Sequence, residues 1–333
     1  MTIQTLNPAL ASKSPLLGSS ILPQWGLILV DGPDAAGLLQ SQLSNSILNL
    51  KLTAPGGIAQ GFDTVKLVGY CNPKGRLLAS AWVAEFANED GSKRFALYIS
   101  RDIAAATAKK LSMYILRSKV KVIDASDEWV VSGIYGTVEE INHYHIDNAS
   151  LALRLPNIQI ESQLYGRLLR AQQISRDTKN ITQEDIAQWN SFEVLSAIPR
   201  ITLATQEQFV PQMINFESVL GVDFKKGCYP GQEIVARSQY RGAVKRRLQL
   251  AHLFSDHMSS DQYAPGTEIF SSNDPTQPAG MVVLAAPNPL HQNRIDFQIE
   301  CKLEALEKDE IHLGSFAGPV LKVDLLPYPL LEI

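Results

Sequence analysis

The first third of the chain alternates short apolar runs with helical patterns. Residues 26–32 (GLILVDG) form a β-type run, and a helical pattern follows it. Strand-like runs at 64–70 and 76–86 flank the turn sequence NPKG (72–75), which predicts a hairpin. A third strand, an amphipathic helix and a final strand complete the order β-α-β-β-β-α-β. We therefore predict a helix-on-sheet α+β unit over residues 25–128.

The rest of the chain contains a second unit of the same kind and then a change of pattern. The second unit is predicted over 129–244 and includes a helix at 182–195. From there on, short alternating runs separated by turn residues predict a small C-terminal β-barrel over 245–333. Residues 1–24, rich in Ser, Pro and Leu, are interpreted as a loosely held arm. The predicted fold class is α+β, with two helix-on-sheet units and a barrel.

The composition narrows the class of protein. Of the 333 residues, 45% are hydrophobic and 19% are charged, and the formal net charge is −4. These values are typical of a globular protein and give no reason to expect a membrane or nucleic-acid partner. No segment approaches the run of about 20 apolar residues that a membrane span requires. Three cysteines without an even framework favour a reducing compartment, so we predict a cytoplasmic protein.

Motifs for several common activities are absent from the sequence. It contains no phosphate-binding G-x-x-x-x-G-K-[ST] or G-x-G-x-x-G motif, no C-x-x-C pair and no serine-hydrolase elbow. His143 and His145 are interpreted as a solvated pair rather than as metal ligands. Cys71 and Cys301 lie in strand-like runs and are interpreted as core residues. We therefore expect no stable metal site.

The remaining cysteine lies in the segment FKKGCYPGQEIVAR (224–237), where turn residues surround it. Pro230 and Gly231, followed by Gln232 and Glu233, predict the start of a helix. Cys228 then lies just before a helix N-terminus, where free N–H groups and nearby cations favour thiolate over thiol. The alternatives are an inert turn cysteine and a reactive thiol, and the local chemistry favours the reactive one.

Basic residues surround this cysteine in sequence. A run of charges is most often a solvated face, and the same run is compatible with a weak tRNA contact. Here the basic residues lie on both sides of Cys228, which weakens the interpretation as a solvated face and favours a role in the chemistry of the thiol. The seven cations, set against the single acid Glu233, are Lys225, Lys226, Arg237, Arg241, Lys245, Arg246 and Arg247.

The octapeptide Lys226-Gly227-Cys228-Tyr229-x-Gly231-Gln232-Glu233 resembles the K-G-C-Y-x-G-Q-E signature of the YgfZ family. These are folate-binding proteins related to the T-protein of the glycine cleavage system. Further segments agree in order along most of the chain, namely GLILVDGPDAAGLLQSQLSN, NPKGRL, FVPQMINFESVLGVDFKKG, RGAVKRRL and LLPYPL. The resemblance implies a three-domain ring around a folate-sized channel. It also implies a role with iron–sulfur proteins, including those that thiolate tRNA.

The resemblance assigns a ligand and residues to bind it. It implies that tetrahydrofolate or a derivative is bound, with Trp25 and Trp189 as the folate-associated tryptophans. An indole face can stack on a pterin or aminobenzoyl ring, whereas the alternative for both residues is a place in the core. The anionic glutamate tail would meet basic residues, for which the candidates are Arg237, Arg241, Lys245, Arg246 and Arg247.

The chain departs from the family pattern at two places. Relatives carry an I-E-A-G-like segment where this chain has residues 195–198 (LSAI), and Glu193 lies two residues too early to replace that carboxylate simply. T-proteins place aspartates shortly after a Gly-Gly turn. Here residues 76–79 (RLLA) follow Gly75, so the proton-handling group of aminomethyl transfer is missing.

The sequence thus favours an accessory factor over an enzyme. It would bind a tetrahydrofolate and use Cys228 in the assembly or repair of iron–sulfur clusters, with indirect support of tRNA thiolation. One alternative is a folate-dependent aminomethyl or one-carbon transferase, and another is a tRNA-binding module. A single cysteine cannot hold a cluster as a four-thiolate site does, so any cluster would be shared or transient.

Overall fold

The computed structural model describes the following parts of the chain: residues 17–88, 90–174, 186–240, 242 and 244–331. Most of the predicted arm therefore lies outside the described residues, as do the first four positions of the helix predicted at 182–195. Its remainder forms a helix that ends at Leu195, as expected.

The strands are β1 (Gly18–Ile21), β2 (Trp25–Asp31), β3 (Ile58–Ala59), β4 (Val65–Cys71), β5 (Leu77–Ala87), β6 (Lys93–Ser100), β7 (Lys121–Asp124), β8 (Trp129–Thr137), β9 (Leu151–Ile160), β10 (Gln163–Gln173), β11 (Arg246–Phe254), β12 (Glu268–Ser271), β13 (Gly280–Pro287), β14 (Arg294–Lys302), β15 (Ile311–Leu313) and β16 (Val320–Asp324). The helices are α1 (Ala35–Gln42), α2 (Arg101–Ser112), α3 (Val138–Asn142), α4 (Ile186–Leu195), α5 (Gln232–Tyr240) and α6 (Leu303–Lys308).

The first sheet has the order β4-β5-β6-β2-β7 with antiparallel neighbours. The predicted NPKG hairpin joins β4 to β5, and Gly75 N–H donates to the Asn72 carbonyl at 2.9 Å. Alternate residues of β2 enter different cores: Leu27 and Leu29 face one, and Ile28 faces the other, which holds α1 and α2. The predicted helix-on-sheet unit is confirmed.

The second sheet has the order β1-β8-β10-β9-β3 and recruits strands from outside its own unit. The prediction of a loose arm is wrong for Gly18–Ile21, which pairs with β8 over its whole length. Ile58–Ala59, from the first unit, pairs in parallel with β9. Without β1 and β3, the outer edges of β8 and β9 would leave backbone N–H and C=O groups without partners. The two short strands form hydrogen bonds with these groups. The two units are therefore interlocked rather than divided at one residue.

The two sheets enclose a shared core. Residues from β2 and β6 meet residues from β8, β9 and β10, and α4 adds Trp189 and Phe192. Both α4 side chains are fully buried. Helix α4 is thus part of the inter-sheet core, and its position fixes the region described below.

The C-terminal strands form a closed barrel in the order β11-β14-β13-β12-β15-β16, which confirms the predicted barrel. β15 is only three residues long, too short for its pattern to predict it. The barrel also holds the end of α4: the Gln298 amide donates to the Val194 carbonyl at 2.9 Å, and the Tyr328 hydroxyl donates to the Ala197 carbonyl at 2.7 Å. Within the described ranges, no helix is long and apolar enough to span a bilayer.

Candidate functional site

The cysteine loop, residues 224–231, leads into helix α5. The helix begins at Gln232, so Cys228 does precede a helix N-terminus and Pro230 lies just before the first turn. The thiol of Cys228 is exposed, whereas Cys71 and Cys301 are buried as predicted. Burial raises the pKa of each buried thiol to about 12. Among the three cysteines, Cys228 is thus the one that a partner can reach directly.

Lys226 ties the cysteine loop to the first unit. Its ammonium donates to the carbonyls of Gln40 and Leu43 at the end of α1, where a cation is favoured. The ammonium also lies 4.9 Å from the ring centroid of the buried Tyr229. Burial lowers the pKa of Lys226 to about 8, against the opposing effects of Asp223 and of a Cys228 thiolate. Lys226 is therefore a tether between the cysteine loop and the end of α1.

Of the two motif glycines around Cys228, Gly227 and Gly231, only Gly231 occupies a position that a larger residue could not take. Gly231 has φ +78°, and a Cβ there would lie 2.3 Å from the Asn72 carbonyl oxygen in the NPKG turn. Gly75 of that turn has φ +72°, and its Cβ would lie 2.8 Å from the Ile234 Cβ. A Cβ at Gly227 would meet no atom within 4 Å. Close backbone packing thus explains Gly231 but not Gly227.

The basic residues near Cys228 do not form one free surface. Arg246 pairs with the buried carboxylate of Glu300. The buried Arg247 pairs with the equally buried Glu217. These pairs follow from strand alternation, which turns successive side chains of β11 to opposite faces. Lys225, Arg237, Lys245 and Glu233 are exposed, and Arg241 lies outside the described residues.

The two predicted tryptophans meet in a narrow cavity between the sheets, which we call the throat. It is lined by Trp25, Trp189, Arg167, Glu193 and Arg200 among others. Its volume is about 20 Å³, which is room for about one water molecule. Trp25 and Trp189, the two tryptophans that the resemblance associates with folate, therefore line one cavity.

Three residues that line the throat each carry a buried N–H donor with no partner among the described residues. The indole nitrogens of Trp25 and Trp189 and the Nε of Arg167 are buried, and no hydrogen-bond acceptor among the described residues reaches them. The other Arg167 nitrogens donate to the carbonyls of Phe192, at 3.1 Å, and Pro156, at 3.3 Å. Burial lowers the pKa of Arg167 to about 10, while the charge of Glu193 acts in the opposite direction. Indole and guanidinium N–H groups only donate, so the throat suits an acceptor.

The ring faces of the two tryptophans are covered. Trp189 packs on the backbone of Gly133, where an added Cβ would lie 2.2 Å from the indole ring. The guanidinium of Arg200 lies 5.1 Å from the centroid of the Trp25 ring. Trp25 is 5% exposed and Trp189 is 0% exposed. Stacking on these faces, as expected from the sequence, would require neighbouring groups to move.

The carboxylate of Glu193 lines the throat. The segment at which relatives carry a carboxylate, residues 195–198 (LSAI), contains no acidic residue here. Glu193 follows Trp189 by four residues on α4, so both share one face of the helix. Arg200 donates to Glu193 and, at 2.8 Å, to the Ser100 hydroxyl. The i, i+4 spacing from Trp189 is a sequence signal that could have identified Glu193 as a lining residue. Arg167 was not identified from the sequence, although its position between apolar residues of the segment LYGRLL (164–169) could have indicated it.

The throat shares lining residues with two larger clefts. A cleft of about 350 Å³ shares Leu67, Trp82 and Leu155 with it. A second cleft, of about 680 Å³, shares Glu193 and Arg200 with it. None of the residues that line the throat or either cleft comes from the cysteine loop or α5. The structure therefore separates Cys228 from the tryptophans.

The positions where T-proteins carry aspartates are apolar and buried here. Leu77, Leu78 and Ala79 belong to the core of the first unit. Among the residues that the structure describes, no cluster of three or more His, Cys, Asp or Glu side chains could hold a metal ion.

Known proteins resemble this chain over about two thirds of its length or more. The chain is 30% identical over 242 residues to the tRNA-modifying protein YgfZ of Vibrio vulnificus, covering 70% of this chain and 69% of that protein. It is 28% identical over 229 residues to an iron-sulfur cluster assembly factor IBA57 homolog, mitochondrial, of Mycosarcoma maydis, covering 68% of this chain and 55% of that one. No protein-family model matches the chain.

A solved structure supports the fold class. The glycine cleavage system aminomethyltransferase T of Bartonella henselae superposes with a TM-score of 0.63. The superposition covers 94% of this chain and 86% of that one at 14% sequence identity. The predicted T-protein-like arrangement of two α+β units and a barrel is confirmed by this likeness, which concerns the fold alone.

Proposed function

The chain belongs to the YgfZ family, and from this premise we propose that it is an accessory factor in iron–sulfur cluster assembly or repair. In this proposal it binds a reduced folate in the throat region and uses the exposed thiol of Cys228. The names of its relatives, a tRNA-modifying protein and an iron-sulfur cluster assembly factor, support this role. Its partners would be iron–sulfur proteins of the cytoplasm, including enzymes that thiolate tRNA.

The observation that carries the folate proposal is the set of unpartnered donors in the throat. A buried N–H group without an acceptor costs about 1–3 kcal/mol, so three of them in one cavity favour an acceptor-rich ligand. The oxo and nitrogen edge of a pterin provides such acceptors. The residues that would hold it are Trp25, Trp189 and Arg167. The throat admits about one water, so the ring edge rather than the whole ring would reach these donors.

A bound folate would supply one-carbon carrier chemistry, and the chain itself would bind and shield it. The Arg200–Glu193 pair lies between the throat and the cleft of about 680 Å³, since both residues line both spaces, and Arg200 also donates to the Ser100 hydroxyl. Both members of the pair are about 10% exposed, which limits access of water from that side. Because Arg167 is fully buried, its charge acts in a medium of low dielectric and is weakly screened.

The thiol proposal is supported by the cysteine loop, whose backbone is held in place while the side chain of Cys228 is exposed. Lys226 and Gly231 hold the cysteine loop against the first unit, while the Cys228 thiol remains exposed. A thiolate on a fixed loop can provide one ligand to an iron atom of a partner's cluster. The remaining ligands would come from the partner or from sulfide, because one thiolate cannot hold a cluster alone.

A second candidate, a folate-dependent transferase, is favoured by one observation. Glu193 lines the throat and is a carboxylate of the kind that handles protons in such reactions. Its pairing with Arg200 and the apolar residues at 77–79 count against it. Incubation with tetrahydrofolate and an aminomethyl donor separates the two proposals, because a transferase would move the methylene carbon to tetrahydrofolate and release ammonia. The accessory factor shows no turnover above background, and sustained turnover identifies the transferase.

Calorimetric titration with tetrahydrofolate tests the folate proposal. Alanine is unsuitable at Trp25 and Trp189 because both are core residues, whereas phenylalanine keeps a ring and removes the N–H donor. We expect Trp25→Phe and Trp189→Phe each to weaken binding by about 1 kcal/mol, the usual net value of one hydrogen bond. Trp129→Phe, a buried tryptophan outside the throat, is the control and should bind like the unchanged protein. Absence of binding in the unchanged protein contradicts the folate proposal.

A further inference from the structure

The smaller cleft beside the throat has the chemistry of a ligand site of its own. It has a volume of about 350 Å³ and lies between β4 and β5 of the first sheet and β9 of the second. Leu67, Trp82 and Leu155 line both it and the throat, so the two spaces adjoin. A ligand that occupies the cleft therefore lies next to the throat.

The cleft provides the open aromatic surface that the throat lacks. Trp82 is only partly buried, in contrast to Trp25 and Trp189. Phe62 lines the same cleft and is 59% exposed. The Lys66 ammonium lies 3.1 Å from the centroid of the Phe62 ring and adds positive charge at this end. Aromatic walls of this kind bind planar groups.

The cleft also contains a cation without a carboxylate partner. Arg154 donates to the amide oxygens of Asn142 and Asn157, which are neutral. Within the described part of the chain, no Asp or Glu pairs with it, whereas Arg94 and Arg294 elsewhere in the molecule do have such partners. An uncompensated guanidinium favours an anionic group, above all a carboxylate.

The larger cleft differs in this respect. Its two arginines are Arg101 and Arg200. Arg101 pairs with Asp127 and Arg200 pairs with Glu193. Charge complementarity therefore directs an anionic tail to the smaller cleft.

We propose that the smaller cleft is the subsite for a planar aromatic group that carries a carboxylate, with Trp82 and Arg154 as its binding residues. The inference rests on the proposed function, under which this group is the p-aminobenzoylglutamate half of a folate. The acceptor edge of the pterin meets the donors of the throat, the aminobenzoyl ring lies on Trp82, and a tail carboxylate accepts from Arg154. The order of head, ring and tail follows the order of the throat donors, Trp82, which lines both spaces, and Arg154, which lines only the cleft.

Calorimetric titration with tetrahydrofolate tests the assignment in five variants. Arg154→Gln should weaken binding about tenfold or more, the usual effect of losing a hydrogen bond to a charged group. Arg154→Lys keeps the charge and should restore part of that loss. Trp82→Leu should weaken binding several-fold, and Trp82→Phe, which keeps an aromatic face, should weaken it less. Arg101→Gln, in the larger cleft, should leave the affinity unchanged. Thermal unfolding of each variant checks that the fold persists.

The outcomes distinguish a failure of the subsite assignment from a failure of the folate proposal on which it rests. If the unchanged protein binds tetrahydrofolate and Arg154→Gln binds it equally well, the subsite is wrong and the folate proposal stands. If Arg101→Gln loses affinity instead, the tail lies in the larger cleft and the inference is again overturned. If the unchanged protein binds no tetrahydrofolate, both the inference and the folate proposal fail.

Discussion

Trp189 in the throat has no exposed surface, whereas Cys228 lies exposed on its loop. The throat consists of core residues, and its polar groups include N–H donors that no described residue satisfies. The cysteine loop is the reverse case. Its backbone and its Lys226 and Tyr229 side chains are packed or hydrogen-bonded, while its thiol contributes little to packing.

Under the proposed function, this difference would let one fold keep ligand binding and thiol chemistry in separate regions. In the throat, any residue that binds a ligand also stabilises the inter-sheet core, so changes there affect binding and stability together. On the loop, glycine and lysine hold the backbone, so the thiol can change with little effect on stability. Variants that change stability in one region and not in the other therefore test the difference between the throat and the cysteine loop.

The largest expected effect is on stability at the throat. Trp189→Ala should lower the free energy of unfolding by about 3–5 kcal/mol, because it leaves a cavity in a tightly packed core. Cys228→Ala should change it by less than about 0.5 kcal/mol, because an exposed thiol buries little area. Urea denaturation measures both. A loss of more than 2 kcal/mol for Cys228→Ala would show that the cysteine is structural.

A smaller effect is expected at the glycines of the cysteine loop. Gly231→Ala should lower the free energy of unfolding by about 2 kcal/mol, because Gly231 has a left-handed φ and a Cβ would clash with the Asn72 carbonyl. Gly227→Ala is the matched control and should cost less than about 0.5 kcal/mol, since its Cβ meets open space. Equal losses in thermal or urea unfolding would mean that the NPKG turn does not constrain the loop.

The third prediction concerns thiol reactivity and involves no change in stability. At pH 8 iodoacetamide should label Cys228 and leave Cys71 and Cys301 unmodified in the native protein. Burial raises the pKa of both to about 12, so they remain protonated until well above pH 8 in the folded state. Mass spectrometry should find one label per native chain and three after denaturation. Native labelling of Cys71 or Cys301 would contradict the buried environment of these thiols.

The sequence predicted those features that local pattern determines. The alternation in β2 and in the barrel strands follows from burial of one face. The turn at Gly75 and the loop at Gly231 follow from backbone conformations that glycine adopts without strain. The predicted helix start after Cys228 is confirmed by α5, which begins at Gln232.

Features that depend on long-range contacts could not be predicted. Gly18–Ile21 is a strand because β8 offers a free edge, and nothing within the segment indicates this. Arg246 and Arg247 belong to a basic run in sequence, but in space each meets a buried carboxylate. The pairing of Arg154 with neutral amides, and the covered faces of Trp25 and Trp189, likewise depend on elements distant in sequence.

The central claim is that the folate region and the Cys228 thiol are separate parts of one accessory factor. Its most direct test uses a single variant, Cys228→Ala, in a strain that lacks the protein and in purified form. The account predicts that purified Cys228→Ala binds tetrahydrofolate with unchanged affinity but does not restore iron–sulfur enzyme activities or tRNA thiolation in the strain. Full restoration by Cys228→Ala, at the same protein level as the unchanged chain, would contradict the account.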